Sequence, residues 1–232
     1  AKYKAPYLQG NTQRLATEQF KKRPKKYSHI FQTDPSEVNY GWTIPLWAMA
    51  MEKTGAWKPK NRKVHIVSEQ VGYNQTILKA AKQAWPKSTF EIAADTQIQY
   101  PVNDWTPVIQ ELKKVDASVI QINHWVASEY AAFCKQFRAD PVPGSLVYMQ
   151  YGPSQPEFLE LGRRATEGFC WGTVLGIYGD EMGENFRKKY LKRFPEYGTY
   201  EKNTMGVVYT GNGYDIVNYL VASWNATKAL GT

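Results

Sequence analysis

The chain has 232 residues, of which 43% are hydrophobic and 22% are charged, and this composition excludes an intrinsically disordered protein. The net charge of +8 raises the question of nucleic-acid binding. The densest basic run, Lys21–Lys26, has no interleaved aromatic residues and contains Pro24, which indicates a solvated loop. Nucleic-acid binding is therefore the minor alternative, and we expect no nucleic-acid partner.

Strands are predicted along the chain by short runs of β-branched, aromatic and other apolar residues. The second and fourth of these runs are almost continuously apolar, which is typical of parallel strands covered on both faces. In chain order the predicted strands are Ala5–Gln9, Arg62–Ser68, Thr89–Ala94, Ser118–Asn123, Ser145–Gln150 and Gly168–Val174.

Helical patterns alternate with these strands. Asp34–Glu37 offers an N-cap, a proline and an acid for a helix start, and further helices are predicted from Asp104 to Val115 and from Ser128 to Arg138. Strand, helix and strand at this spacing predict right-handed βαβ units and a doubly wound parallel α/β fold.

The alternation of strands and helices stops after Val174. Two helices, Glu181–Phe194 and Thr204–Leu230, follow without a clear strand between them, which indicates that the chain enters a second lobe. The opening strand is also unusual, because it needs sheet partners that the chain hardly supplies.

Motifs for catalysis and metal binding are not found. Dinucleotide and phosphate-loop fingerprints and nucleophile elbows are lacking. Cys134 and Cys170 are too few for a disulfide framework and are interpreted as buried small hydrophobic residues. His65 lies inside a predicted strand and is interpreted as structural. We expect no cofactor and no metal, and no apolar run reaches the length of a membrane span.

Polar and aromatic residues cluster just after the predicted strands, where open parallel sheets bind ligands. A pocket built from these corners would stack a ligand on Tyr or Trp faces and orient it with amides and hydroxyls. The corners are Gly10-Asn11-Thr12, Glu69–Asn74, Asn123-His124-Trp125 and Gln150-Tyr151-Gly152, and Glu69 is their one charged residue.

The chain resembles the type I periplasmic binding proteins, in the branch that binds branched-chain amino acids, amides and urea. The resemblance is carried by Asn103–Lys113, Ala165–Phe169, Phe186–Pro195 and Tyr214–Val217, in this order and spacing. It implies a two-lobed fold, with residues 1–33 and 176–232 in lobe one and residues 34–175 in lobe two. It also implies that the chain is a fragment without most of the sheet of lobe one.

The resemblance further implies a ligand site at the corners described above. Gly10, Asn11 and Thr12 would bind a carboxylate or amide, and Tyr73, His124 or Trp125, and Tyr214 would supply aromatic surfaces. Amino-acid binders of this family carry an acid near the corner that holds Gln150 and Tyr151 here, where it neutralises the ligand ammonium. The corner itself has no acid, which favours an amide-bearing or aromatic carboxylate ligand over an α-amino acid.

The leading hypothesis is a periplasmic, monomeric solute-binding protein of an ABC importer, not an enzyme, whose lobes close on a small ligand and present it to a membrane permease. A ligand-sensing domain of a signalling protein is the alternative within the same fold. An α/β enzyme is the third possibility, and only His124 and Glu69 could serve as its acid or base.

Overall fold

The computed structural model describes residues 5–10, 13–173, 179–197 and 208–228. The chain forms two compact units, the first made of residues 1–37 and 174–232 and the second of residues 38–173. The boundaries expected from the sequence for the two lobes lie within four residues of these. The second unit begins at the first residue of a helix and ends one residue after a strand.

Seven strands and nine α-helices lie within the described residues. The strands are β1 (Tyr7–Gln9), β2 (Ile30–Gln32), β3 (Lys63–Glu69), β4 (Glu91–Ile98), β5 (Val119–Asn123), β6 (Leu146–Gln150) and β7 (Cys170–Gly172). The helices are α1 (Arg14–Lys22), α2 (Pro24–Tyr27), α3 (Val38–Lys53), α4 (Gly72–Ala84), α5 (Thr106–Val115), α6 (Ala127–Ala139), α7 (Pro156–Gly162), α8 (Glu181–Arg193) and α9 (Val208–Thr227).

The second unit is built on a five-stranded sheet in the order β4-β3-β5-β6-β7, and every pairing in it is parallel. The chain runs from β3 to one neighbour, β4, and then crosses to the other side to form β5. This reversal makes the gap between the carboxyl ends of β3 and β5 the topological switch point of the sheet. The doubly wound parallel α/β fold predicted from the sequence is confirmed.

Helices cover both faces of this sheet and enclose two apolar cores. One core contains Ile120, Ile122 and Met149 with the buried faces of α5 and α6, and the other contains Val64 and Ile66 with parts of α3 and α4. Successive strand residues point to opposite faces, so both faces of β3 and β5 are buried. This double burial explains their nearly continuous apolar sequences.

The first unit contains a two-stranded parallel sheet. Tyr7 pairs with Ile30 and Gln9 pairs with Gln32. The expectation that the chain hardly supplies a partner for the opening strand was wrong, because β2 provides one. Between the two strands, Lys21–Lys26 is helical except at Arg23, so the predicted loop was also wrong, although all six of these residues are solvent-exposed as expected.

The predicted helix start at Asp34–Glu37 is used differently in the structure. Helix α3 begins only at Val38, and the buried carboxylate of Glu37 accepts hydrogen bonds from the backbone N–H of Arg14 at 2.8 and 2.7 Å. Glu37 therefore caps the N-terminus of α1, where unpaired N–H groups and the helix dipole favour an acid.

The last two helices agree with the sequence pattern. Asp180 caps α8 by accepting a hydrogen bond from the Gly183 N–H at 2.7 Å. The predicted limits of the final helix, Thr204 and Leu230, lie outside the described residues, as does Val174 at the end of the last predicted strand. Within the described ranges, no helix is both long enough and apolar enough to cross a membrane.

Candidate functional site

Three ionisable side chains meet at the switch point of the second unit. His124, directly after β5, places Nδ1 2.9 Å from Glu69 Oε2 at the end of β3, and Nε2 2.9 Å from Glu129 Oε2 in the first turn of α6. We call these three residues the Glu–His–Glu cluster. The His124 side chain is fully buried, and the Glu69 and Glu129 side chains are 5% and 13% exposed. Burying ionisable side chains costs free energy unless their polar atoms are paired by hydrogen bonds, as they are here.

The two hydrogen bonds of the Glu–His–Glu cluster need two protons, whereas a neutral imidazole supplies one. Burial raises the pKa of Glu69, and the neighbouring charge of Glu129 raises it further. Burial also raises the pKa of Glu129 and lowers the pKa of His124 to about 4. Both hydrogen bonds form when a glutamate carries the second proton, and the cluster then has one net negative charge.

An exposed aromatic pair lies beside this cluster. Trp125 and Tyr100 are 41% and 55% exposed, and their ring centroids are 5.6 Å apart with an interplanar angle of 33°. Trp125 follows His124 of the cluster directly in the chain. Glu129 accepts a hydrogen bond from the backbone N–H of Val102, two residues after Tyr100, at 2.8 Å. Both rings of the pair therefore stand on backbone next to the cluster.

The hydroxyl of Tyr130 holds the backbone of the same corner by hydrogen bonds. It donates to the carbonyl of Ile122 at 2.8 Å and accepts from the N–H of His124 at 3.0 Å. The ring of Tyr130 lies against Gly152, where an added Cβ would be 2.6 Å from it. The corners after β5 and β6 are thus packed against each other through one tyrosine.

A chain of buried polar side chains crosses the opposite face of the sheet. Trp85 Nε1 donates to Gln121 at 2.8 Å, Gln121 donates to Asn123 at 2.9 Å, and Asn123 donates to Ser68 at 2.8 Å. Gln150 stands next to Asn123, one residue beyond the paired Ile122 and Met149. Gln150 is fully buried, and neither of its amide atoms has a hydrogen-bond partner among the described residues.

The residues that the sequence predicted for the second lobe all lie at this carboxyl edge. Tyr73 is half-buried in the first turn of α4, and Tyr151 is half-buried with a φ of 58°, in the left-handed region. The sequence left open whether His124 or Trp125 holds the predicted position. In the structure His124 is enclosed with both ring nitrogens hydrogen-bonded, whereas Trp125 reaches solvent.

In the first unit, Gly10 follows β1 and packs on Asn212 of α9, whose Nδ2 donates to the Gly10 carbonyl at 3.2 Å and to Asp34 at 2.7 Å. Tyr214 is 57% exposed, and its ring lies 5.2 Å from that of Phe186. The other two predicted residues of that corner, Asn11 and Thr12, lie outside the described part of the chain.

Sequence reasoning missed two members of the site and misjudged one cysteine. Tyr100 was overlooked because β4 was predicted to end at Ala94, four residues early, and Glu129 was read only as part of a helix. Cys134 is buried as expected, but Cys170 is only half-buried, in β7 at the edge of the sheet. Within the described residues, no group of three or more His, Cys, Asp and Glu side chains could hold a metal ion.

Residues 7–230 match the sequence profile of the family described as periplasmic binding protein. Among solved structures, the chain is similar to a protein from Silicibacter pomeroyi assigned as a branched-chain amino acid ABC transporter, with 28% identity, a TM-score of 0.78, and coverage of 90% of this chain and 52% of that one. No curated protein sequence matches the chain.

Two more distant structures share the fold. A branched-chain amino acid ABC transporter from Thermus thermophilus with bound valine is 16% identical, with a TM-score of 0.70 and coverage of 99% of this chain and 56% of that one. A solute-binding protein of an ABC transporter from R. palustris in complex with benzoate is 15% identical, with a TM-score of 0.54 and coverage of 72% and 44%. The chain spans about half the length of these solved relatives.

Proposed function

Because this chain belongs to the periplasmic binding protein family, we propose that it is the solute-binding component of an ABC importer and holds a small organic ligand at the carboxyl edge of its five-stranded sheet. The protein acts outside the cytoplasm as a monomer and delivers the ligand to a membrane permease. Its task is binding and release, without bond-making.

The exposed pair of Trp125 and Tyr100 at the switch point is the observation that carries this proposal. The two rings are in contact at the switch point, and ligand sites use aromatic surfaces of this kind together with a few placed polar groups. The buried Glu–His–Glu cluster orders the backbone beside the pair through His124 and through the Val102 N–H, and order in advance of binding reduces the entropy that the ligand must overcome. Tyr73, Gln150 and Tyr151 surround the same edge and complete the proposed site.

The residues predicted from the first unit, Gly10, Asn11, Thr12 and Tyr214, remain part of the proposal as further ligand-binding residues. Binding proteins of two lobes close about a hinge when a ligand contacts both, and the closed form is the one that a partner recognises. The relatives with bound valine and with benzoate support ligands of this size.

A thermal-shift screen followed by calorimetric titration tests the proposal. Amino acids, short amides, urea and aromatic acids are added to the purified chain, and a true ligand raises the melting temperature because it binds only the native state. Trp125→Ala is expected to weaken the binding of that ligand by about 10-fold or more. Trp42→Ala is the matched control, because Trp42 is 45% exposed on α3 of the same unit.

An equal loss of affinity in the Trp125→Ala and Trp42→Ala variants would place the site elsewhere. A folded chain that is stabilised by no compound of the screen would contradict the binding-protein proposal itself.

A further inference from the structure

The connections at the two ends of the five-stranded sheet differ in charge. Those that leave the carboxyl ends of β3 to β6 are residues 70–71, 99–105, 124–126 and 151–155, and they contain no Lys or Arg and one acid, Asp104. The opposite end carries four basic residues in the connections into β3 and β4: Lys58, Lys60, Arg62 and Lys87. The chain has a net charge of +8, yet its candidate site lies at the carboxyl end of the sheet, where the connections from β3 to β6 contain no Lys or Arg.

The buried groups at the carboxyl edge add to this negative character. The Glu–His–Glu cluster carries one net negative charge in a site with little water, where its field is weakly screened. Asn74 extends the cluster by donating its Nδ2 to Glu69 at 3.0 Å. The Oδ1 of Asn74, which is fully buried, has no donor among the described residues.

Trp125 links this charge to the ligand-facing surface. It follows His124 directly in the chain, so its exposed ring lies beside the buried cluster. Tyr100 extends the aromatic surface at a centroid distance of 5.6 Å. Aromatic faces of this kind attract organic cations, and Trp is the strongest of the three aromatic residues in this respect.

We propose that the ligand of this site carries a positively charged organic ammonium group, which rests on Trp125 and Tyr100 above the Glu–His–Glu cluster. The inference deepens the proposed function and rests on it. It reverses the preference for an aromatic carboxylate, because that preference considered only the corner at Gln150 and Tyr151, whereas the acids come from β3 and α6. An anionic ligand at this position would be repelled by the cluster.

Two probes of the same shape separate charge from size. Choline carries a trimethylammonium head, and 3,3-dimethyl-1-butanol has the same skeleton with carbon in place of the charged nitrogen. In calorimetric titrations of the purified chain, choline is expected to bind at least about 10-fold more tightly than the neutral alcohol. Benzoate and valine are titrated in parallel as an anion and as a zwitterionic amino acid.

Variants then test the parts of the site. Trp125→Phe keeps an aromatic face without the indole N–H and is expected to weaken choline binding about 3- to 10-fold, whereas Trp125→Leu weakens it by about 30-fold or more. Trp42→Leu, at an exposed tryptophan on α3 outside the site, is the matched control and preserves affinity within about 3-fold. The double variant Glu69→Gln, Glu129→Gln removes the net charge and reduces the preference for choline over the alcohol to less than about 3-fold.

The outcomes distinguish the two proposals. Equal or tighter binding of the neutral alcohol, or benzoate binding that depends on Trp125, would overturn the ammonium inference and leave the binding-protein function standing. Valine binding that is unaffected by Trp125→Leu would do the same, since it would place the ammonium elsewhere. A folded chain that binds none of the four compounds, and no compound of the wider screen, would contradict both.

Discussion

The stability of the second unit is expected to fall as the pH rises above neutrality, because the Glu–His–Glu cluster holds an extra proton. In the unfolded chain the glutamates lose their protons near pH 4.5 and the histidine near pH 6.5. In the native state the raised glutamate pKa retains one proton, and the lowered pKa of His124, about 4, keeps the ring neutral. Between about pH 4.5 and 6.5 the native and the unfolded chain therefore bind the same number of protons. Above pH 6.5 they differ by the one proton on the native glutamate.

The sign follows from the proton count. Above pH 6.5 the native cluster binds one proton more than the unfolded chain does, so the free energy of unfolding decreases by at most about 1.4 kcal/mol per pH unit until the native cluster loses that proton. Between pH 6.5 and 8 the loss is therefore at most about 2 kcal/mol. Screening by water at the Glu129 side chain, which is 13% exposed, lowers the expected loss below this upper limit.

Urea unfolding at several pH values, followed by tryptophan fluorescence, measures this loss. Glu129→Gln is the matched variant, because its amide can donate to Nε2 of His124 without taking up a proton. Between pH 6.5 and 8 we expect the free energy of unfolding to fall more for the wild-type chain than for this variant, by up to about 2 kcal/mol. Parallel pH profiles of the two proteins would show that the cluster holds no extra proton and would refute the proton count.

Three further changes test the packing around the site. In Gly41→Ala the new Cβ would lie 2.5 Å from a backbone oxygen of α4, so urea unfolding should show a loss of about 2 to 3 kcal/mol. Gly213→Ala is the control, because its new Cβ meets no atom of the described residues within 4 Å and no loss is expected. Similar losses in the two variants would refute the close contact at Gly41. Tyr130→Phe removes a buried hydroxyl with three backbone contacts, so the same assay should show a loss of about 1 to 2 kcal/mol, and an unchanged midpoint would count against its anchoring role. Burial raises the pKa of the Cys134 thiol to about 12, so mass spectrometry after alkylation of the native chain should show the half-buried Cys170 modified first, and the reverse order would show that Cys134 is accessible.

The strands that are buried on both faces could be predicted closely from the sequence. Ser118–Asn123 was predicted and β5 runs from Val119 to Asn123, because a strand covered on both sides must be apolar at nearly every position. β4 shows the opposite case. It is the edge strand next to β3 and alternates between exposed and partly buried residues, so Asp95 to Gln97 gave no apolar signal and its end was placed at Ala94.

The carboxyl-end corners were also predictable, since a parallel sheet brings the ends of its strands to one edge. Their mutual contacts were not. Glu69 and His124 are 55 residues apart in the chain, and they meet only because β5 lies beside β3 in a register that pairs Ser68 with Asn123. Strand order and register follow from the packing of helices on both faces of the sheet, which joins segments distant in sequence.

The chemistry of the site was therefore decided at the tertiary level. The sequence by itself determined the fold class, the family resemblance and the corners that hold Tyr73, Trp125 and Tyr151. Which histidine is buried, which acids share a proton and which aromatic ring stands beside Trp125 depended on side chains from three connections converging on one edge. The charge and solvent exposure of these side chains are set by residues that are close in space, and not by their neighbours in the chain.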